Sequence, residues 1–490
     1  AVQTEAGGEK NLVMPSASCV ANLNPLLEGY KEAAMLNPIY DPLYVIDVNE
    51  TRYYLADSYE VSEDGMQITV KLKEGLKWHD GEAITADDMI FTMDVCSDTN
   101  NGAGGTNIVI LNDQPVKYEK VDDLTVKVTL PMASASYADL LGGLTLIPEH
   151  VFEGNPSVVS AGEANMKGIG SGPYKVTEFK QDEYLLLEKY EDYYMGAPSI
   201  DKVTFRIISD LSAQEVALMN GEVNFMELAN APAVAKYEAD PNFTVVKYPE
   251  GRVNYLAVNK FCETVQDPKV VEAVFAALNR DEIIAGAYGD GMAESANSIF
   301  SNVNTFYDPS VEGYTQDVEK AKQLVKETGL DSKTLTLYFN SERVYMKESA
   351  QIIQQQLKNV GINLEVIPLE SAGFFEKVFG TDGDYEFYLN GYGAVGDPDQ
   401  VVAGMYDGTW GVNLAVSDEV SQLWKDARTV YTPEERAAIY KQIQIQTRDE
   451  LTCYPIAYPN YVFVTTSNIK GADTIKRTPV FEDYTKLTME

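Results

Sequence analysis

Two histidines, four cysteines and a spaced run of glycines are the parts of this 490-residue chain best suited to chemistry, and their spacing argues against most of it. A histidine-based triad would have to recruit His79, in Trp78-His79-Asp80-Gly81, or His150, after Ile147-Pro148-Glu149. Both read as structural residues in turns rather than as a base or a metal ligand. No HExxH, GxSxG or GxxxxGK[ST] pattern occurs, and Gly168-x-Gly170-x-Gly172 fits neither a dinucleotide nor a phosphate-loop spacing. That glycine run reads as a tight loop entering a strand. Cys19, Cys96, Cys262 and Cys453 are too far apart for a CxxC or zinc-ribbon arrangement. They read as buried thiols, with a long-range pair such as Cys262 and Cys453 left open by an exported location. Asp382-Gly383-Asp384 lacks the later ligands and closing glutamate of an EF-hand loop and reads as a turn. No catalytic residue, cofactor or metal is expected.

The elements around these residues are clearer. After the turn Ser62-Glu63-Asp64-Gly65, the apolar Met66, Ile68, Val70 and Leu72 alternate with polar residues, the period of a strand with one buried face. Thr85 with Asp88 three residues on predicts a capping-box start for an apolar helix through Met89, Ile90, Met93 and Val95. Leu124, Val126, Val128 and Leu130 repeat the alternation, and Lys10 to Ser16 predicts a first strand. Ala33 to Val45 reads as a short apolar helix broken by prolines. Ser212 with Glu215 predicts a capped helix that Gly221 stops, followed by a strand from Val223 to Met226. Leu335 to Phe339, Glu342 to Lys358 ended by Gly361, and Ile362 to Ile367 form a strand-helix-strand unit. The alternation predicts an α/β class with mixed sheets.

Charge narrows the function. With 75 acidic against 38 basic residues the chain carries a net charge of −37, which disfavours nucleic acid and anionic membrane surfaces. No apolar run approaches the roughly 20 residues of a membrane span. The opening residues 1–9 are small and polar, as expected of a tether on a trimmed export product.

The stretch from Leu55 to Met93 resembles the signature of the bacterial extracellular solute-binding proteins of family 5, the peptide and nickel type of ABC-importer receptor. Leu55, Ala56, Ser58, Ser62, Asp64, Gly65, Trp78, His79, Asp80, Gly81, Thr85, Ala86 and Asp88 all stand at the family's positions. Gly170-Ser171-Gly172-Pro173-Tyr174 is similar to its later glycine motif. Asp317, Glu319, Lys320, Ala321 and Leu324 are similar to a family helix. The resemblance spans roughly residues 10 to 490. It implies a two-lobed periplasmic-binding-protein-like type II fold with an extra subdomain in the first lobe (cluster C). Residues 10–48, 168–258 and 466–490 would form the first lobe's core, 49–167 its appended subdomain and 259–465 the second lobe. The crossings would fall near Asn254 to Lys260 and Tyr461 to Asn468.

Within that resemblance, Phe387 to Asp399 corresponds to the strand and loop lining the family's cleft, with Tyr392 in place of the usual tryptophan. The implied ligand-binding residues are Tyr392, Gly393, Ala394 and Val395. Trp410 and Asn413 come from the next loop, Ser18 from the loop after the first strand, and Asn254 and Tyr255 from the first crossing. In peptide-binding members an aspartate fixes the ligand's amino terminus. Val395 stands there, with one residue missing before Gly396, while Asp397-Pro398-Asp399 reads mainly as structural. Val271 replaces the family's usual arginine, a change with no evident consequence. No histidine falls in the expected pocket, so nickel is not expected. The function implied is non-enzymatic capture of an organic solute, foremost an oligopeptide, between hinged lobes for delivery to permease subunits. The receptor would be a monomer on the outer face of the cytoplasmic membrane, held by a lipid anchor, or otherwise periplasmic. An oligosaccharide or other organic solute, a sensory module, or a secreted hydrolase are the alternatives.

Overall fold

A computed structural model describes residues 9–28, 35–46, 50–393, 395–407, 414, 416–474 and 483–490. The chain divides into two compact units, Ala1–Tyr248 with Val462–Glu490, and Pro249–Tyr461. The structure is mixed α/β throughout, with sheets in both units.

The first unit holds two four-stranded sheets. One joins β1 (Asn11–Ser16) in parallel to β8 (Lys202–Ile207), which continues antiparallel to β7 (Tyr184–Lys189) and β6 (Tyr174–Lys180). The other is antiparallel, in the order β2 (Ala56–Val61), β3 (Gln67–Leu72), β5 (Thr125–Thr129), β4 (Lys117–Asp122). Its register sets Ile68 against Val128 and Val70 against Val126, so both alternating runs bury the same face. That face packs with Trp78, Leu76 and Met89 in one apolar core. Helix α1 (Ala86–Ser97) covers it and starts with the anticipated capping box. Thr85 Oγ1 accepts from the Asp87 N–H at 3.3 Å, and Asp88 accepts from the Thr85 N–H at 2.9 Å and the Glu149 N–H at 3.0 Å.

Two local expectations are corrected. Of the proline-broken helix expected over Ala33 to Val45, Ala33 and Ala34 lie outside the described residues; Met35 is 3₁₀-helical, and turns then lead to a short strand, Tyr44–Ile46. Asn37-Pro38 and Asp41-Pro42 explain this, because each proline lacks a donor and drives the preceding residue out of the helical region. Helix α2 (Leu211–Met219) is capped by Asp210, which accepts from the Ala213 N–H at 2.8 Å, and not by Ser212. The strand after it, β9 (Phe225–Glu227), pairs with Phe463 to Thr465.

In the second unit β10 (Arg252–Val258) pairs antiparallel with both β13 (Phe387–Gly393) and β14 (Cys453–Thr466), the long strand that continues into the first unit. β11 (Thr334–Asn340) joins β13 and β12 (Asn363–Leu369) in parallel. Leu256, Val258, Phe387 and Leu389 face one core, shared with helix α3 (Val344–Asn359); Val253, Tyr255, Ala257 and Tyr388 face another, aromatic one. The strand period of two thus sorts the residues of β10 and β13 between two different environments.

Candidate ligand-binding site

The antiparallel register of β10 and β13 builds a polar corner at one end of the second unit's sheet. Arg252 lies opposite Gly393 and Asn254 opposite Gly391, all four on the same face as Leu256 and Leu389 but beyond the apolar core. The glycines make room. A Cβ on Gly391 would stand 2.0 Å from Asn254 Oδ1 and 3.0 Å from Arg252 Nε. Arg252 Nε donates to Asn254 Oδ1 at 3.1 Å and its Nη2 to the Gly391 carbonyl at 2.6 Å. Asn254, only 3% exposed, donates through Nδ2 to the Tyr288 hydroxyl at 2.9 Å. The Tyr288 ring stacks on Tyr345 at 5.3 Å, and burial pushes its hydroxyl pKa up. Burial also raises the Glu250 carboxyl, an effect that Arg252 and Arg343 oppose.

The next residues along these strands face the other way. Tyr392 pairs with Val253 and its ring lies 5.1 Å from that of Tyr255. Its hydroxyl donates to the Ile299 carbonyl at 2.7 Å and shares a hydrogen bond with Tyr406 at 3.0 Å. The hydroxyl is committed to the protein, which leaves the ring alone for any contact with a ligand. Gly393 is exposed, and a Cβ there would meet nothing within 4 Å among the described residues. Val395, 40% exposed, lies over Gly251, whose φ of +71° and missing side chain allow the contact; a Cβ there would fall 1.9 Å from Val395 Cγ2.

Asn254, Tyr255, Tyr392, Gly393 and Val395 are therefore neighbours in one unit. Ser18 belongs to the first unit, exposed after β1, its carbonyl accepting from Ser16 Oγ at 2.7 Å. Ala394, Trp410 and Asn413 lie outside the described residues. The Asp397-Pro398-Asp399 run is bound into the protein. Asp397 takes two bonds from Arg436, at 2.7 and 3.0 Å, and Arg428 bridges Asp399 at 2.6 Å and Asp407 at 2.5 Å. Neither aspartate of the motif is spare for an ammonium. Sequence reasoning does not find Arg252, Tyr288 or Tyr345. Arg252 and Asn254 are two apart on a strand, a visible signal, but only the pairing with Gly391 and Gly393 shows that they share an open corner.

The other chemical candidates are all engaged structurally. His79 donates its backbone N–H to the Gly170 carbonyl at 3.0 Å, accepts the Gly170 N–H on Nδ1 at 3.1 Å and donates from Nε2 to the Gly172 carbonyl at 2.9 Å. This fixes the neutral Nε2–H tautomer, and burial lowers the imidazole pKa to about 4. His150 pairs with Asp80 at 2.8 Å. Lys377 bridges Asp382 and Asp384 at 2.8 and 2.9 Å, so this turn is closed by a lysine. All four cysteines are free thiols; Cys96, Cys262 and Cys453 are buried, while Cys19 is half-buried, a departure from the expected fully buried set.

With this geometry in place, residues 50–413 match the model of the bacterial extracellular solute-binding proteins, family 5 Middle. The chain is 27% identical over 499 residues to the dipeptide-binding protein of Escherichia coli (strain K12), covering 94% of this chain and 92% of that protein. It is 29% identical over 447 residues to the oligopeptide-binding protein AppA of Bacillus subtilis (strain 168), covering 85% and 80% respectively. Among solved structures, the ABC transporter substrate-binding protein CtaP from Listeria monocytogenes superposes with a TM-score of 0.91 at 33% identity, over 98% of this chain and 99% of that one. AppA from Bacillus subtilis in complex with a nonapeptide gives 0.76 at 26% identity, over 98% and 99%.

Proposed function

The chain belongs to the bacterial extracellular solute-binding proteins of family 5, and from that premise we propose that it is the binding component of an ABC importer, capturing a peptide and handing it to the permease. The observation that carries the peptide reading is likeness along nearly the whole chain to proteins described as dipeptide-binding and oligopeptide-binding. The second unit's corner supports it. A peptide presents carbonyls, N–H groups and a carboxylate, and Arg252 and the bare strand at Gly393 offer a charged donor and close backbone approach. We read the two units as the two lobes of such a receptor. Its place is outside the cytoplasmic membrane, on a lipid anchor; no helix among the described residues is long and apolar enough to cross a membrane.

A hydrolase reading gains nothing from the histidines, since His79 is spent on the Gly170 to Gly172 loop and His150 on Asp80. Native mass spectrometry of the purified protein, followed by calorimetry with a casein digest, tests the proposal. A peptide released unchanged and rebinding in equal ratio supports it. A sugar adduct, or cleavage of the added peptides by the pure protein, overturns it.

A further inference from the structure

We propose that Arg252 is the anchor for a carboxylate of the bound peptide, an inference that rests on the peptide reading and sharpens it. The guanidinium is held in place before any ligand arrives, Nε by Asn254 Oδ1 and Nη2 by the Gly391 carbonyl, while Nη1 has no hydrogen-bond partner among the described residues. A planar fork fixed at two points with donors left over suits the two oxygens of a carboxylate, and pre-orientation lowers the entropy lost on binding.

Three neighbours make this corner a receptor for an anion. Directly across the strand pair is Gly393, exposed and with no atom of the described residues within 4 Å of where a Cβ would stand, which leaves room for a ligand at the register of Arg252. Gly391 cannot carry a Cβ without striking Asn254 Oδ1, so the arginine and its brace fill the room that this glycine leaves. Arg252 and Arg343 are both close enough to Glu250 to oppose the effect of burial on its carboxyl, so two guanidinium groups stand near this corner. In the loop that follows β13, Val395 supplies no carboxylate for an ammonium, and Asp397 and Asp399 are paired with arginines. The corner is therefore built to recognise the negative end of a peptide rather than its positive end.

Calorimetry with alanine peptides of three to nine residues, each as free acid and as C-terminal amide, tests this on the wild type, Arg252→Met and Arg252→Lys. A second pair, with one interior glutamate or glutamine, separates a side-chain carboxylate from the terminal one. Amidation, or the change to glutamine, should weaken binding to the wild type by about tenfold or more, the range of one charge-assisted pair. In Arg252→Met acid and neutral forms should bind alike, and Arg252→Lys should keep part of the preference. A purely structural arginine would lower the melting temperature of Arg252→Met and leave the acid-to-amide ratio intact, which overturns the proposal. If no peptide of either kind binds the wild type, the peptide reading fails and the anchor with it; binding without any acid preference sinks the anchor alone.

Discussion

Tyr392 shows what the sequence reveals about a single residue and what it hides. Its place on a strand at the candidate site is legible from Phe387 to Asp399, but the face it occupies depends on pairing with Val253, which no local pattern records. Its hydroxyl serves Ile299 and Tyr406 inside the unit. Asp397 and Asp399 are legible as structural. Their partners Arg436 and Arg428, some thirty to forty residues along the chain, are not, because an ion pair of that span depends on the tertiary fold. Val395 leads to a residue-scale prediction. An isopropyl group cannot replace a carboxylate as partner to an ammonium, a contact worth about 1.5–3 kcal/mol when made. A bound peptide and its N-acetylated form should differ in affinity by less than about tenfold, near 1.4 kcal/mol, in matched titrations. A much larger loss on acetylation would reveal an amine anchor elsewhere in the receptor.

At the level of elements, legibility follows how local the deciding force is. The capping box of α1 needs only Thr85 and Asp88, both visible in the sequence. The start of α2 has two competitors two residues apart, Asp210 and Ser212. The choice falls to Asp210 as the chain leaves β8, with Gln214 Nε2 donating back to the Ile208 carbonyl at 2.7 Å. From Leu36 to Val45 turns and a short strand follow, because Pro38 and Pro42 each remove a donor and break the helix that the apolar spacing suggests. Caps therefore give a clean comparison. Thr85→Ala and Asp210→Ala should each cost about 1 kcal/mol in urea unfolding, while Ser212→Ala should stay within about 0.5 kcal/mol. Equal losses for Ser212→Ala and Asp210→Ala would mean the helix begins where the sequence pattern suggests.

For the whole molecule, two buried groups of opposite behaviour converge on one loop. His79 holds Gly170 and Gly172, while the N–H of Asp41 donates to Ser171 Oγ at 3.0 Å. Burial lowers the His79 pKa to about 4 and raises that of Asp41 to about 7, even though Tyr193 and Tyr194 donate to its carboxylate at 2.9 and 2.8 Å. The glycines explain why the loop must stay in place, since a Cβ on Gly170 would fall 2.0 Å from the Ile39 carbonyl oxygen. Proton linkage makes the two groups respond to pH in opposite directions. An unfolded histidine takes up its proton near pH 6.5, so the His79 contribution is complete above that value and is lost as pH falls through about 4. An unfolded aspartate loses its proton near pH 3.8, so the Asp41 contribution is complete below that value and is lost as pH rises through about 7. Each tenfold change in proton affinity between the unfolded and folded states is worth about 1.4 kcal/mol. Between pH 4 and 6.5 the two groups therefore oppose one another. Compared with the wild type, Asp41→Asn should gain urea stability more steeply as pH rises from 4 to 6.5. His79→Gln should lose stability over the same range and on towards pH 7. Because Asp41 reaches the loop only through its backbone N–H, which Asp41→Asn retains, while His79 holds it through its ring, the double variant should lie within about 0.5 kcal/mol of the sum of the singles. Urea midpoints from pH 4 to 8 for the four proteins decide the matter, and parallel curves would mean that neither proton equilibrium is shifted by folding.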